Sequence, residues 1–348
     1  MNSSITHQHL FSSKRQLLNN DQIVFFPVES LFENLSQPTK PVSFSMKRFF
    51  RILWSCDDGS FHDSLEEPAK AVEFDVEHDF TIFGSCNGLL CLFDMNHGCV
   101  LLWNPSVRLK SKKFPTLDCY EYNKCMITYR GFGYDHVNDK YKVLVHVRSF
   151  TDNGIGFGNF VTKIYTFGEN SLKTIPNFPG SDIGVEWGGI FVSGTLNWVI
   201  LKKGVSSNQN VIISFDLEKE TYKELLLPEH DDVNFNIPRL CVSNNFLYVF
   251  CKENKTHSVL WLMKIYGVAK SWTRLIMIPH EQLWNHVQHS PHFIEPVLIL
   301  ENHIVLLISN KFVFYNLNNG KVDSLCINSG NYVRKLRVYQ ESLVSPLL

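Results

Sequence analysis

The chain has 348 residues, 44% of them hydrophobic and 19% charged, which supplies enough apolar material to bury a core and excludes intrinsic disorder. Thirty-three Lys and Arg offset thirty-four Asp and Glu to a net charge of −1, so no electrostatic footprint points to nucleic acid or an anionic membrane. Twenty-seven Phe within 13% aromatics favour pleated sheet over helix.

Along the chain, residues 1–20 hold no apolar stretch of signal-peptide length, and His7, Lys14 and Arg15 interrupt them. The longest apolar region, residues 296–308, is broken by Glu301-Asn302-His303, so no span of membrane length is expected. The nine cysteines form no Cys-x-x-Cys pair, and Cys91, Cys241 and Cys251 lie in apolar runs, where free cysteine acts as a small hydrophobe. A reducing compartment follows, cytoplasmic and/or nuclear.

One pattern recurs: apolar residues, an aromatic, then a turn former. Its aromatics are Trp54, Trp103, Tyr165, Phe215, Tyr266 and Tyr315, spaced by 49, 62, 50, 51 and 49 residues. A period near 50 is the kelch length, with four strands per propeller blade. Phe114-Pro115, Ile175-Pro176, Leu227-Pro228 and Ile278-Pro279 follow in phase, as suits the edge strand of a blade.

The clearest unit has strands at 80–84, 89–93 and 100–103 and a fourth ending at Phe114, with Asn87-Gly88 as a hairpin signal. Later units read as 190–192, 196–200, 211–215 and 222–227, then 240–242, 246–251, 259–265 and 272–277, then 297–300, 304–308, 312–315 and 322–326. The first unit lacks an inner strand, and a surplus strand at 333–339 is expected to pair with the N-terminal region. The expected fold is all-β: a single closed propeller of six kelch-like four-stranded blades, with seven as the alternative count.

On this parse the long connections fall on one face, at second-to-third and fourth-to-first positions. Function concentrates on loops carried by a rigid scaffold. Tyr120, Tyr122, Phe157 and Trp284, with His286 as a polar neighbour, are the candidate protein-binding anchors. Their alternative role is to fold down as satellite cores over the blade ends.

Other motifs reduce to structure. Gly84-Ser85-Cys86-Asn87-Gly88 has the outline of a nucleophile elbow, but Leu89–Phe93 continues as strand rather than helix. His280, His286, His289 and His292 match no standard zinc spacing. Gly154, Gly156 and Gly158 precede no helix and make no dinucleotide fingerprint. No cofactor, metal or catalytic group is expected, and the chain is not read as an enzyme.

The segments Gly84–Leu92, Leu102-Trp103-Asn104-Pro105-Ser106, Gly131–Asp135 with Asp139–Leu144, Gly194–Trp198, Ile213–Leu217 and Tyr339–Val344 together resemble the F-box-associated interaction domain of plants. That family includes the F-box/kelch-repeat and S-locus F-box-like proteins. On this resemblance Gly84, Asn87, Gly88, Trp103, Asn104, Pro105, Gly133, Asp135, Tyr141, Gly194, Trp198, Phe215 and Asp216 are motif residues with structural roles. The resemblance implies a propeller domain over residues 21–345 and, because Thr6–Ser13 resembles the stretch that follows an F-box, 1–20 are expected to be an irregular remnant after a missing F-box.

The resemblance implies a target-capturing, substrate-recognition subunit of an SCF-type cullin-RING ubiquitin ligase. The partner is an unidentified target protein, and the ligase adaptor is a partner only if an F-box lies upstream; neither nucleic acid nor membrane is expected. Alternative readings are an orphaned scaffold or competitor interaction domain, and a propeller enzyme built around a central channel.

Overall fold

In a computed structural model, the protein is described over residues 21–27, 42–45, 72–73, 80–94, 97–115, 125–150, 157–169, 171–179, 188–202, 209–228, 238–253, 256–284, 294–300, 302–308, 311–326, 333–340 and 342–347. Strands β1 (Asp21–Pro27), β2 (Val42–Ser45) and β3 (Val72–Glu73) form a sheet with the C-terminal strand β25 (Val333–Gln340), in the order β25-β1-β2-β3. β1 pairs antiparallel with β25 from Asp21↔Gln340 to Pro27↔Val333, so the surplus strand does join the N-terminal region.

The remaining sheets are local in sequence. The second contains β4 (Phe80–Cys86), β5 (Leu89–Asp94), β6 (Cys99–Asn104), β7 (Leu109–Lys110) and β8 (Phe114–Pro115). The third contains β9 (Cys125–Asp135), β10 (Lys140–Phe150), β11 (Phe157–Thr166) and β12 (Ser171–Ile175). Next come β13 (Ile190–Val192), β14 (Thr195–Lys202), β15 (Gln209–Asp216) and β16 (Thr221–Leu226), then β17 (Arg239–Ser243), β18 (Phe246–Glu253), β19 (His257–Met263) and β20 (Trp272–Pro279). The last local sheet holds β21 (Ile294–Ile299), β22 (His303–Ile308), β23 (Lys311–Asn316) and β24 (Val322–Cys326). Helix is confined, among the described residues, to a 3-10 turn at Ala269–Ser271 and the short α1 (His280–Trp284).

The all-β propeller architecture stands, but the expectation of six like four-stranded blades, or of seven, is corrected. Five of the sheets hold four strands, whereas the sheet over residues 80–115 holds five, because β7 and β8 both pair with β6. The cause is local. Ser111 interrupts the outer strand, its Oγ accepting the Leu102 N–H at 2.9 Å while its own N–H donates to the Leu102 carbonyl at 2.8 Å. A second correction concerns 259–265, where strand ends at Met263 and Lys264–Gly267 bends away. The stretch around Trp54 lies outside the described residues.

Period-two alternation explains why the middle strands carry apolar side chains on both faces. In β5, Leu89, Cys91 and Phe93 pack into a core shared with the third sheet, whereas Leu90 and Leu92 join Trp103 and Tyr339 on the other side. In β15, Val211, Ile213 and Phe215 face the third sheet's Tyr129 and Ile164, and Ile212 faces Val249 and Val259 of the following one. In β18, Val249 looks back and Phe250 looks forward to Leu306 and Tyr315. Each interior sheet is thus sandwiched between two others, and both of its faces must be apolar.

Glycine occupies the sites where neighbouring sheets come closest. A Cβ built on Gly133 would collide with the Phe191 ring and Leu217, and one on Gly131 would meet Leu196 and Trp198. The Gly-Phe-Gly spacing therefore sends Phe132 into the core on one side of β9 and leaves room on the other for the next sheet's side chains.

Candidate functional site

The innermost strands β4, β9, β13, β17, β21 and β25 surround a central cavity of about 700 Å³. Each is the terminal strand of its sheet, and the edge of β9 turned away from β10 is bridged at Arg130 by Gly188. Lining residues include Phe132, Phe191, Val242 and Leu298 along the walls, and Asn87, His136, Asn244, Asn245 and Gln340 toward one end. That end carries the first-to-second and third-to-fourth turns, which are tight except for Lys264–Ser271 between β19 and β20.

The tight turns are built by short polar side chains folding back onto the backbone. Asp135 Oδ1 accepts the Val137 and Asn138 N–H groups, both at 3.1 Å. Asp216 Oδ1 accepts those of Glu218 and Lys219 at 3.0 and 2.9 Å, and Asn316 Oδ1 does the same for Asn318 and Asn319. Asn104 Oδ1 accepts Ser106 N–H at 2.9 Å, with Pro105 buried beside it. The Asn104 amide also donates to the Ser342 and Val344 carbonyls at 3.0 and 2.8 Å, strapping the C-terminal segment onto this rim. Gly88, at φ +78°, leaves the space that the Ser342 side chain fills, while Ser342 Oγ donates to the Asn87 carbonyl at 2.9 Å.

A buried charge cluster ties the third sheet to the fourth. Lys142 Nζ donates to the Leu217 carbonyl at 2.6 Å and lies 2.9 Å from Asp135 Oδ2 and 3.3 Å from Glu220 Oε1. Lys173 approaches Glu220 from the surface. Burial works against the charged form of Asp135, but hydrogen bonds from Asn138 and Lys142 outweigh it and hold the carboxyl below its ordinary range. Glu220 is lowered in the same way, its desolvation offset by Lys173 and Lys142.

The other motif residues also sit at joints. Trp198 is buried and its Nε1 donates to the Arg130 carbonyl at 3.1 Å. Trp103 and Phe215 are buried in the shared cores. Tyr141 OH accepts a long 3.4 Å bond from the Asn87 amide, Gly84 abuts Phe132, and Gly194, at φ +76°, accepts the Leu217 N–H on its carbonyl. One joint escaped the sequence reading. Tyr266, just beyond the strand expected at 259–265, donates to Asn197 Oδ1 at 2.7 Å and lies 2.6 Å from Thr195 Oγ1 and 2.7 Å from Ser214 Oγ. The cavity residues His136, Asn244, Asn245 and Gln340 were also missed; Asn244-Asn245 between apolar runs was the available turn signal.

The anchor candidates are not brought together by the described residues. Tyr120, Tyr122 and His286 lie outside them. Phe157 begins β11 opposite Phe150, and Trp284 ends α1. By topology both positions fall on the face of the second-to-third and fourth-to-first connections, opposite the tight turns.

Residues 84–88 form a strand end and hairpin turn, and burial pushes the Cys86 thiol well above its ordinary pKa, away from nucleophilic use. His280 is buried with Nε2 2.9 Å from Ser258 Oγ, while His286, His289 and His292 lie outside the described residues. Among the described residues no three His, Cys, Asp or Glu cluster as metal ligands, and no helix is long and apolar enough to cross a membrane.

Comparison with known proteins gives a consistent result. A family model described as the F-box associated beta propeller domain matches residues 44–346. An F-box/kelch-repeat protein of Arabidopsis thaliana is 29% identical over 267 residues, covering 75% of this chain and 67% of the relative. The F-box protein CPR1 of the same plant is 25% identical over 218 residues, 57% of this chain and 51% of the relative. The chain thus spans about half to two thirds of the length of these relatives. Among solved structures, a chain from a nidogen/laminin complex superposes with a TM-score of 0.52 at 8% identity, covering 92% of this chain and 99% of its own, which speaks to the fold alone.

Proposed function

The chain belongs to the F-box associated beta propeller domain family, and from that premise we propose that it is the target-capturing module of an SCF-type cullin-RING ubiquitin ligase. The observation that carries this reading is the family match over residues 44–346, seconded by relatives that are themselves F-box proteins. The module works by binding rather than by catalysis, in the cytoplasm or nucleus. The stacked sheets act as a stiff support, and Tyr120, Tyr122, Phe157, Trp284 and His286 supply contacts on the long-loop face. A few aromatic anchors usually dominate such an interface.

The adaptor contact belongs to an F-box, whether on the same polypeptide or supplied by fusion. Joined downstream of one and reconstituted with the ligase, the chain should direct ubiquitin onto a protein that it captures by itself. A captured protein that gains no ubiquitin under those conditions would favour the scaffold or competitor reading. Failure to capture any protein through residues 44–346 would contradict recognition altogether.

A further inference from the structure

The central cavity has a chemistry that selects a ligand. Among the described residues no Lys or Arg lines it, and Glu295 is the one carboxylate, near the end away from the tight turns. Phosphate and carboxylate ligands are ordinarily held by Arg or Lys, so this lining offers an anion no counter-charge. A strongly cationic ligand would need more acidic partners than one. The tight-turn end is instead rich in amides, from Asn87, Asn244, Asn245 and Gln340. The three asparagines adopt left-handed backbone, at φ 50°, 50° and 58°, a conformation asparagine tolerates while it projects a donor and an acceptor from a tight turn.

Beside these amides stands an aromatic wall. The His136 ring meets Tyr134 edge-on at 4.9 Å and lies 6.3 Å from Phe191. Deeper in, every residue from Leu240 to Ser243 borders the cavity. Side chains of a strand alternate between its two faces, so an unbroken run of bordering residues means that β17 turns its backbone edge to the cavity. An open strand edge binds extended peptide through main-chain hydrogen bonds. The volume of about 700 Å³ falls inside the roughly 300–1,000 Å³ of ligand-holding pockets.

We propose that the central channel is a second recognition site, which takes an uncharged extended peptide segment through the tight-turn rim. The segment pairs along the β17 edge, its side-chain amides or hydroxyls meet Asn87, Asn244 and Gln340, and its apolar groups lie against Phe191 and Val242. This rests on the chain being a protein-recognition module, but it places a contact on the face opposite the long loops.

The test uses the whole chain and three pools of acetylated, amidated hexapeptides. One pool is uncharged and rich in Asn, Gln and Ser, one carries two lysines, and one carries two aspartates. Ligand-observed NMR should detect binding of the uncharged pool alone. Val242→Trp, which adds bulk at the channel wall where Val242 also packs against the core between the fourth and fifth sheets, should weaken it at least tenfold. The double variant Asn244→Gly with Gln340→Ala keeps the left-handed turn available and should weaken it about threefold or more, which guards against misfolding of the tryptophan variant. Equal binding of a charged pool, no binding by any pool, or undiminished binding in a folded double variant overturns the proposal. A target protein captured by the wild-type chain and held as tightly by folded Val242→Trp would leave the ligase reading standing while removing the channel from it.

Discussion

The two rims of this propeller are built by different rules. On the tight-turn rim, Asp135, Asp216, Asn316 and Asn104 each close a short turn with their own side chain. Cross-sheet ties run close by, from Lys142 to the Leu217 carbonyl and from Tyr266 to Asn197. The opposite rim holds most of the long connections, although β18–β19 and β22–β23 are joined there by short ones, and the aromatics there, such as Trp284 at the end of α1, are read as surface anchors. The contrast teaches a division of labour. Residues near the first rim fix how sheets stack, so changing them should cost stability, whereas residues on the second should change binding and leave stability alone.

The largest effect that tests this contrast is expected at Lys142. Lys142→Met would leave the fully buried Asp135 carboxylate without its cation, and breaking a buried pair in this way costs about 3–5 kcal/mol. Urea unfolding should register that loss, and a change below about 1 kcal/mol would show the cluster to be dispensable. The same cluster has a pH signature. Asp135 and Glu220 are both held below their ordinary pKa values, so they bind fewer protons folded than unfolded at mildly acidic pH. Their contribution is therefore present above the ordinary carboxylate range near pH 4 and is lost as pH falls through the lowered folded values. The acid limb of the stability curve should be shallower in Lys142→Met; an identical slope would place the titration elsewhere.

A smaller loss is expected at Gly133. Alanine there drives a methyl group into Phe191 and Leu217, and overpacking of this kind costs about 1–3 kcal/mol. Unchanged thermal unfolding would mean that the two sheets separate easily. Tyr266→Phe deletes the hydroxyl shared by Asn197, Thr195 and Ser214 and should cost about 1–2 kcal/mol. Asp216→Ala removes two turn bonds at a partly exposed site, with a loss of about 0.5–1.5 kcal/mol. Those two should differ in a second respect. Only the tyrosine change should loosen the junction between sheets, read as faster amide exchange in both β14 and β19.

Much of the fold was legible because its turn chemistry is local. Asn87-Gly88 announced the β4–β5 hairpin, and the prolines at 115, 176, 228 and 279 fell at or just beyond the ends of outer strands. What failed to show were side-chain contacts that neither period nor turn pattern encodes. Ser111 lay within the stretch read as a strand ending at Phe114, and nothing in its sequence neighbours showed that its hydroxyl takes the Leu102 N–H and splits that strand. Tyr266 carried the periodic aromatic signal, yet its hydroxyl is drawn to Asn197, 69 residues earlier, and the strand ends at Met263. The cavity residues were less visible still. An asparagine in a turn reads the same whether it faces solvent or a channel, and only the placement of inner strands around a common centre tells these apart.

The most direct test of recognition on the long-loop rim is a paired measurement on Trp284→Ala and Tyr122→Ala against a target that the wild-type chain captures. The account predicts a loss of at least tenfold in affinity, with the thermal midpoint of each variant within about 1 °C of wild type, as expected when a surface substitution changes stability by less than about 0.5 kcal/mol. A drop of several degrees in the midpoint would make these side chains part of the core, and unchanged affinity at unchanged stability would move the target to another face.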